Sequence, residues 1–171
     1  MKIITADISA SQYISQFRDV DKFIGFCRQC GNYGNSWLCP PFDYDIDEKL
    51  RPWTKVHVAR VTVDVAGKHQ LSEAMALLQP ARIELSGYLL EKEQESRGLA
   101  FGFSGKCHYC KECGRPQGVP CRHTDKARPS LEAYGFDVGA TAEQLLGIQL
   151  QWGKDGYLPE QLALIGAVFM P

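Results

Sequence analysis

The sequence predicts an α+β fold with helices packed on a mixed or antiparallel sheet and two cysteine-rich loops carried on it. Three observations support this fold class: a valine-rich strand pattern, a long helical pattern directly after it, and two cysteine clusters set among glycines and prolines. The 171 residues fit a single domain, 1–171, with the first cysteine loop at 23–42 and the second at 105–123.

The clearest strand pattern is KVHVARVTVDVAG, residues 55–67. Val56 and Val58 face one side, and the later valines face the other. This change of phase near Ala59 and Arg60 predicts either a bulge or a strand buried on both faces.

A helix is predicted to follow, with Ser72 as its N-cap and Gly98 at its end. Its apolar residues recur at helical spacing: Ala74, Leu77, Leu78, Ala81, Leu85, Tyr88 and Leu89. Pro80 lies inside this pattern and predicts a kink or a restart, because proline lacks the N–H that an interior helical position donates.

Three more segments are predicted to be strands. LAFGF, residues 99–103, alternates large and small residues and leads directly into the second cysteine loop. Near the C-terminus, IQLQW (148–152), a GKDG turn (153–156) and LALIGAVFM (162–170) together predict a hairpin.

Charge and composition exclude several classes of function. The net charge is −1, from 19 basic and 20 acidic residues, which gives no general reason to bind nucleic acid or a membrane surface. No signal peptide or membrane-spanning run is evident, so a soluble, cytoplasmic protein is expected. Because the cytosol is reducing and the cysteine count of 7 is odd, metal binding or redox chemistry is favoured over disulfides.

The second loop reads GKCHYCKECGRPQGVPCRH and supplies four cysteines: Cys107, Cys110, Cys113 and Cys121. A C-x2-C-x2-C run with one more distant cysteine is typical of a [4Fe-4S] cluster, which we predict here. Five basic residues crowd the same region: Arg115, Arg122, His123, Lys126 and Arg128. They are expected to neutralise an anionic cluster, or alternatively to receive an anionic substrate or an acidic partner.

The first loop, FIGFCRQCGNYGNSWLCPPF, has only Cys27, Cys30 and Cys39, one ligand fewer than a fully protein-ligated cluster needs. A histidine or a cysteine from the second loop can complete the site. Alternatively, the fourth position has no protein ligand and one iron is open to a small molecule. An open iron would turn an electron carrier into a catalyst. Structural roles are expected for two of the four histidines, His57 and His69, whereas His108 and His123 lie in the second loop.

A zinc site is the competing interpretation. CRQCG and CKECG both have the C-x2-C-G form of a zinc knuckle. A single closed site would then use four cysteines: Cys27, Cys30, Cys110 and Cys113. This pairing leaves Cys39, Cys107 and Cys121 without a role.

The segments GFCRQCGNYGNSWLCPP and CHYCKECGRPQGVPCRHTDKARPSLEAYGFDV resemble a prokaryotic family called predicted metal-binding protein, domain of unknown function 2284. The resemblance runs from about Phe23 through Val138. It implies metal or cluster binding by all seven cysteines named above, and it implies no particular reaction. The family pattern has proline after C-R-H, where this chain has Thr124, so the shape of the loop is the feature in doubt.

Within the resembling region, Ser130 is predicted to cap a short helix that ends at Gly135, and Thr141 to cap a second helix. Glu132 and Asp137 are able to ligate metal or move protons. Stabilisation of a helix N-terminus and a turn is the more expected role of both acids.

The leading hypothesis is therefore a cytoplasmic iron-sulfur protein with one or two [4Fe-4S] clusters, which transfers electrons to an unidentified redox partner or forms part of an oxidoreductase. A zinc-stabilised binding module without redox activity is the alternative. No catalytic residue, substrate or oligomeric state is predicted, and neither a dinucleotide-binding motif nor a P-loop is present.

Overall fold

The computed structural model describes residues 1–171 and contains an open, four-stranded antiparallel sheet of order β1-β2-β4-β3 with five α-helices. The strands are β1 Ile4–Ser9, β2 Lys55–Asp64, β3 Leu99–Phe101 and β4 Gln161–Met170. The α-helices are α1 Ala10–Phe17, α2 Val20–Arg28, α3 Ile46–Leu50, α4 Ala74–Ser96 and α5 Val138–Leu146. The α+β prediction is confirmed, and the sheet is antiparallel throughout.

Strand β2 is buried on both faces, as the change of phase in its sequence predicted. Val56 and Val58 pack in one hydrophobic cluster, while Ala59 and Val61 pack in a second cluster across the sheet. Pairing with β4 runs without interruption from Lys55–Met170 to Asp64–Gln161, so the alternative of a bulge is wrong. The sheet therefore separates two hydrophobic layers, with α4 on one side and α1 and α5 on the other.

Helix α4 is continuous through Pro80 and does not restart there. It follows a 3₁₀ turn, Leu71–Glu73, whose free N–H groups are satisfied by a capping box between Gln70 and Glu73. The prediction that Ser72 is the N-cap is therefore wrong. No helix, including the 23-residue α4, is long and apolar enough to cross a membrane.

The predicted C-terminal hairpin is only half correct. The turn forms, with Asp155 and Gly156 both at positive φ, and β4 follows it. Residues 148–152, however, form no strand. The alternation there arises because Ile148 and Leu150 pack against the core from outside the sheet.

The short helix predicted after Ser130 is a 3₁₀ turn, Glu132–Tyr134, with the Ala133 N–H donating to the Ser130 hydroxyl. Helix α5 begins earlier than predicted, because Asp137 caps it by accepting from the Ala140 N–H at 2.8 Å. The predicted cap Thr141 is instead fully buried within the helix. The structural role expected for Asp137 is thus observed.

Candidate metal centres

The first cysteine loop begins as a helix rather than as a loop. Cys27 lies in the last turn of α2, and Cys30 and Cys39 follow in consecutive turns closed by backbone hydrogen bonds. The Cys30 N–H donates to the Cys27 carbonyl at 3.0 Å, and the Cys39 N–H donates to the Ser36 carbonyl at 3.1 Å. These turns curl the chain so that all three thiols line one cavity of about 120 Å³.

The thiols of this first cavity lie close enough to influence one another. Burial raises the pKa of Cys27, and the charges of Cys39, Glu132 and Cys30 raise it further. Burial also raises the pKa of Cys39, which a hydrogen bond with Ser36 partly offsets. A bound cation would reverse these effects, because metal coordination requires thiolates and releases their protons.

The second loop places its four cysteines around a separate cavity of about 300 Å³: Cys107, Cys110, Cys113 and Cys121. A 3₁₀ turn, Arg115–Gln117, reverses the chain between the third and fourth of them. The His123 N–H donates to the Cys121 sulfur at 3.4 Å, which links the fourth cysteine to the end of the loop.

The two groups of cysteines are adjacent. Burial raises the pKa of Cys107, and its charged neighbours are the other three cysteines of the second loop. Cys107 also borders the first cavity, and the charge of Cys113 acts on Cys39. The structure therefore forms two neighbouring sets, three thiols and four, which match the two blocks of the sequence.

The knuckle pairing predicted for zinc is not assembled. Its first two cysteines, Cys27 and Cys30, line the first cavity, whereas Cys110 and Cys113 line the second. No three side chains among histidine, cysteine, aspartate and glutamate converge closely enough to hold a single metal ion.

Arg115 joins the two loops. Its guanidinium donates to the carbonyls of Ser36 at 2.7 Å, Cys39 at 2.5 Å and Pro41, and it lies 5.3 Å from the centre of the Trp37 ring. These bonds satisfy carbonyl groups that a loop otherwise leaves to solvent.

Arg128 also has a structural role. It makes a bidentate pair with Glu93, its closest contact being Nη2 to Oε2 at 2.7 Å, and donates to three backbone carbonyls. Arg115 and Arg128 therefore hold loops in place in addition to carrying charge near the thiols: the charge of Arg115 lowers the pKa of Cys39, whose net shift is upward because of burial, and Arg128 lines the first cavity. Arg122 and His123 do line the second cavity.

Sequence reasoning missed Arg82, which is 3 % exposed on α4 and lines the first cavity. Its Nη2 donates to the Lys106 carbonyl at 2.8 Å, while Nε has no hydrogen-bond partner. Burial lowers the pKa of Arg82, and the nearby charges of Cys107 and Tyr109 act in the opposite direction. The sequence did contain a signal for this buried arginine, because Arg82 lies among the apolar residues of the predicted helix.

Glu132 was considered from the sequence, but its surroundings were not foreseen. Its carboxyl atom Oε2 is inaccessible to solvent and has no hydrogen-bond partner, although the residue as a whole is partly exposed. Burial raises the pKa of Glu132.

The structural roles expected for two histidines are observed. The His57 ring lies 2.5 Å from the Asp7 carboxylate and 2.7 Å from the Tyr88 hydroxyl, and His69 pairs with Glu73 at 3.0 Å. His108 lines the first cavity, and His123 lines the second.

The residues at the two cavities fit a metal group. Thiols are the ligands that zinc and iron-sulfur clusters use, and both sets are concentrated at cavities. The two buried polar atoms without partners, Arg82 Nε and Glu132 Oε2, belong to residues of the first cavity. An anionic cluster would compensate the arginine charge, and a cationic metal would compensate the carboxylate.

Comparison with known proteins identifies one family. Searches of curated proteins and of solved structures gave no significant match. One family matches residues 13–170: it is described as predicted metal-binding protein, domain of unknown function 2284 (DUF2284). The matched residues include both cysteine loops and strands β2, β3 and β4. The chain therefore belongs to this predicted metal-binding family.

Proposed function

We propose that this metal-binding protein is an iron-sulfur protein that transfers single electrons. In this proposal the second loop holds one [4Fe-4S] cluster, the second centre, on Cys107, Cys110, Cys113 and Cys121. The first loop holds the first centre on Cys27, Cys30 and Cys39. The observation that carries it is that the seven thiols line two adjacent cavities, the first with Cys27, Cys30 and Cys39, the second with Cys110, Cys113 and Cys121, and Cys107 at both.

The spacing of the ligands favours a cluster over zinc. Four ligands around one zinc ion at about 2.3 Å per sulfur must lie within about 4 Å of one another. The two pairs that the zinc site would join, Cys27 with Cys30 and Cys110 with Cys113, line different cavities, whereas all four cysteines of the second loop line one cavity, as a cube with four corners requires. The cavity of about 300 Å³ also offers more space than a single ion requires.

A cluster at the second loop would supply one-electron reduction and oxidation, and the chain's own residues would tune it. The positive charge of Arg82 acts on Cys107 and favours the more negative, reduced state. Trp37 lines this cavity and donates to the Val119 carbonyl at 2.8 Å, so the first loop is hydrogen-bonded to the second beside the cavity.

The proximity of the two sets supports electron transfer between them, since Cys39 and Cys113 lie within range of each other's charge. We propose the second loop as the electron supply and the first loop as the site of a redox reaction or of transfer to a partner protein. A reducing compartment such as the cytoplasm is the location that free thiols favour.

Purification without oxygen tests this function directly. We expect brown protein that contains iron and acid-labile sulfide and is bleached by dithionite. Colourless protein that holds zinc would end the proposal and favour the zinc-stabilised binding module.

Two matched substitutions test the assignment of the ligands. Cys121→Ser should remove the second cluster and leave the iron of the first centre, and Cys30→Ser should have the opposite effect. A zinc site on the two knuckles predicts instead that Cys121→Ser leaves the metal content unchanged.

A further inference from the structure

We propose that the carboxylate of Glu132 is the fourth protein ligand of the centre held by Cys27, Cys30 and Cys39. This inference rests on the proposed function, because it concerns an iron-sulfur centre in the first cavity. The sequence left three ways to complete that centre: a histidine, a cysteine from the second loop, or an open position. The structure points to a fourth, a carboxylate.

Position is the first argument. Glu132 lines the first cavity together with all three cysteines, and the Cys27 sulfur lies 4.0 Å from the Glu132 carbonyl oxygen. The contact is set by the packing of α2, which carries Cys27, against the 3₁₀ turn Glu132–Tyr134. These residues are 105 positions apart in the chain, so no local motif brings them together.

The unsatisfied carboxyl oxygen is the second argument. Oε2 of Glu132 is sealed from solvent and accepts no hydrogen bond, which is costly for a carboxyl group. A metal bound at the cavity removes this cost, because an oxygen ligand needs no further partner there.

The backbone around Glu132 is fixed, as a ligand requires. Its neighbours Leu131, Ala133 and Tyr134 are at most 3 % exposed and anchor the turn in the core. The Gly135 carbonyl accepts from the Asp19 N–H at 2.9 Å, at the start of the helix that carries Cys27. The turn and the helix therefore keep one relative position.

The other candidates in the first cavity are engaged elsewhere. Cys107 borders both cavities, and in the proposed function it belongs to the cluster of the second cavity, which Cys110, Cys113 and Cys121 also line. The His108 ring packs against the Tyr109 ring, with their centres 4.1 Å apart.

The test compares the full-length wild-type protein with Glu132→Gln and Glu132→Cys, all purified without oxygen. Iron and sulfide analysis, Mössbauer spectra and electron paramagnetic resonance serve as readouts. We expect Glu132→Gln to lose about one iron per chain and to show a three-iron cluster signal after mild oxidation, because a neutral amide is a poor ligand. Glu132→Cys should keep the wild-type iron content with an altered spectrum.

Asp137→Asn is the matched control. Asp137 is the next acid along the chain, lines neither cavity, and caps α5, a role that asparagine also fills. Its iron content and spectra should equal those of the wild type.

Wild-type iron content and spectra in both Glu132 variants would overturn the inference. If Glu132→Gln fails to fold, the test rests on Glu132→Cys. An unchanged spectrum in that variant would contradict the proposal that residue 132 is a ligand of the centre. An iron-free wild-type protein would instead overturn the proposed function itself, so the two failures are distinguishable.

Discussion

The two cysteine loops solve the problem of grouping thiols in different ways. The second loop brings its four cysteines together within a short stretch, Cys107 to Cys121, folded around one 3₁₀ turn. The first loop supplies three, and its cavity is completed by residues from distant parts of the chain, among them Arg82 and Glu132. One set of thiols is local in the sequence, whereas the surroundings of the other depend on the whole fold.

This difference indicates which of the two cavities brings several kinds of chemical group close to its thiols. The second loop supplies all four of its thiols itself, although residues 32–38 of the first loop contribute to the wall of its cavity. A cavity with a wall of sheet, helix and 3₁₀ turn offers carboxyl, guanidinium and hydroxyl groups that a short loop cannot provide. The following predictions test how far the two loops depend on each other and on the scaffold.

The largest effect is expected for Arg115→Met, which breaks the connection between the loops. It removes three charge-assisted hydrogen bonds to first-loop carbonyls, so we expect unfolding to become easier by about 3 kcal/mol. Denaturant titration measures the change, and metal analysis should show loss from the first loop before the second. Arg115→Lys is the control for charge, and stability equal to wild type in Arg115→Met would contradict the joining role.

The second prediction separates the two C-x2-C-G segments. A methyl group at Gly114 would lie 2.8 Å from the Val119 carbonyl oxygen, whereas one at Gly31 would meet nothing within 4 Å. We expect Gly114→Ala to destabilise the protein by about 2 kcal/mol and to reduce metal binding at the second loop. Gly31→Ala, the matched substitution, should change stability by less than about 0.5 kcal/mol. Equal effects on thermal unfolding would show that the loops are equally constrained.

The third prediction concerns Arg82, which borders the first cavity but acts electrostatically on Cys107 of the second loop. Arg82→Met should lower the reduction potential of the second centre by about 40 mV, because about 1 kcal/mol of attraction to the reduced state is lost. Redox titration followed by absorbance measures the shift. Arg82→Lys should preserve most of the potential, and an unchanged potential in the methionine variant would remove Arg82 from the proposal.

The smallest effect is expected at Asp7, on the sheet and away from both loops. Burial raises the pKa of Asp7, but hydrogen bonds from Lys55 and His57 outweigh it, so the net shift is downward. A lowered folded-state pKa contributes stability at neutral pH that disappears as the pH falls through that pKa.

Asp7→Asn should therefore cost about 0.5 kcal/mol at pH 7, a small value because the aspartate is half exposed. The difference from wild type should begin to shrink near the ordinary aspartate pKa of about 4 and vanish only below the lowered folded-state pKa. Chemical unfolding at several pH values measures it. A change in metal content in this variant would show that the sheet network and the loops are coupled.

Much of the scaffold was predictable, because its signals are local. The valine pattern predicted strand β2 and the apolar spacing predicted helix α4, and the structure contains both elements. The strand predicted at 148–152 does not form. Alternating apolar and polar residues indicate which side of a segment is buried, but not whether the segment pairs with another strand. Ser72 and Thr141 were good caps by residue type, but both helical segments begin earlier in the chain, where Glu73 accepts from the Gln70 N–H and Asp137 accepts from the Ala140 N–H.

The candidate centres divide in the same way. Cysteine spacing predicted two groups, and the structure places the thiols in two sets, while the metal they bind stays a prediction. The environment of the first set was not predictable, since Glu132 reaches Cys27 only through the packing of α2 against a distant turn. Likewise, the carbonyl partners of Arg115 lie more than 70 positions earlier in the chain.

The central position of β4 has a consequence for biosynthesis. This strand lies between β2 and β3, yet it is the last of the four to leave the ribosome. Both cysteine loops are therefore translated before the sheet that supports them can close, and for that interval their thiols lack the finished scaffold. The first cavity is affected directly, because β3 and α4, which form part of its wall, both pack against β4 and take their final positions only after β4 has been synthesised.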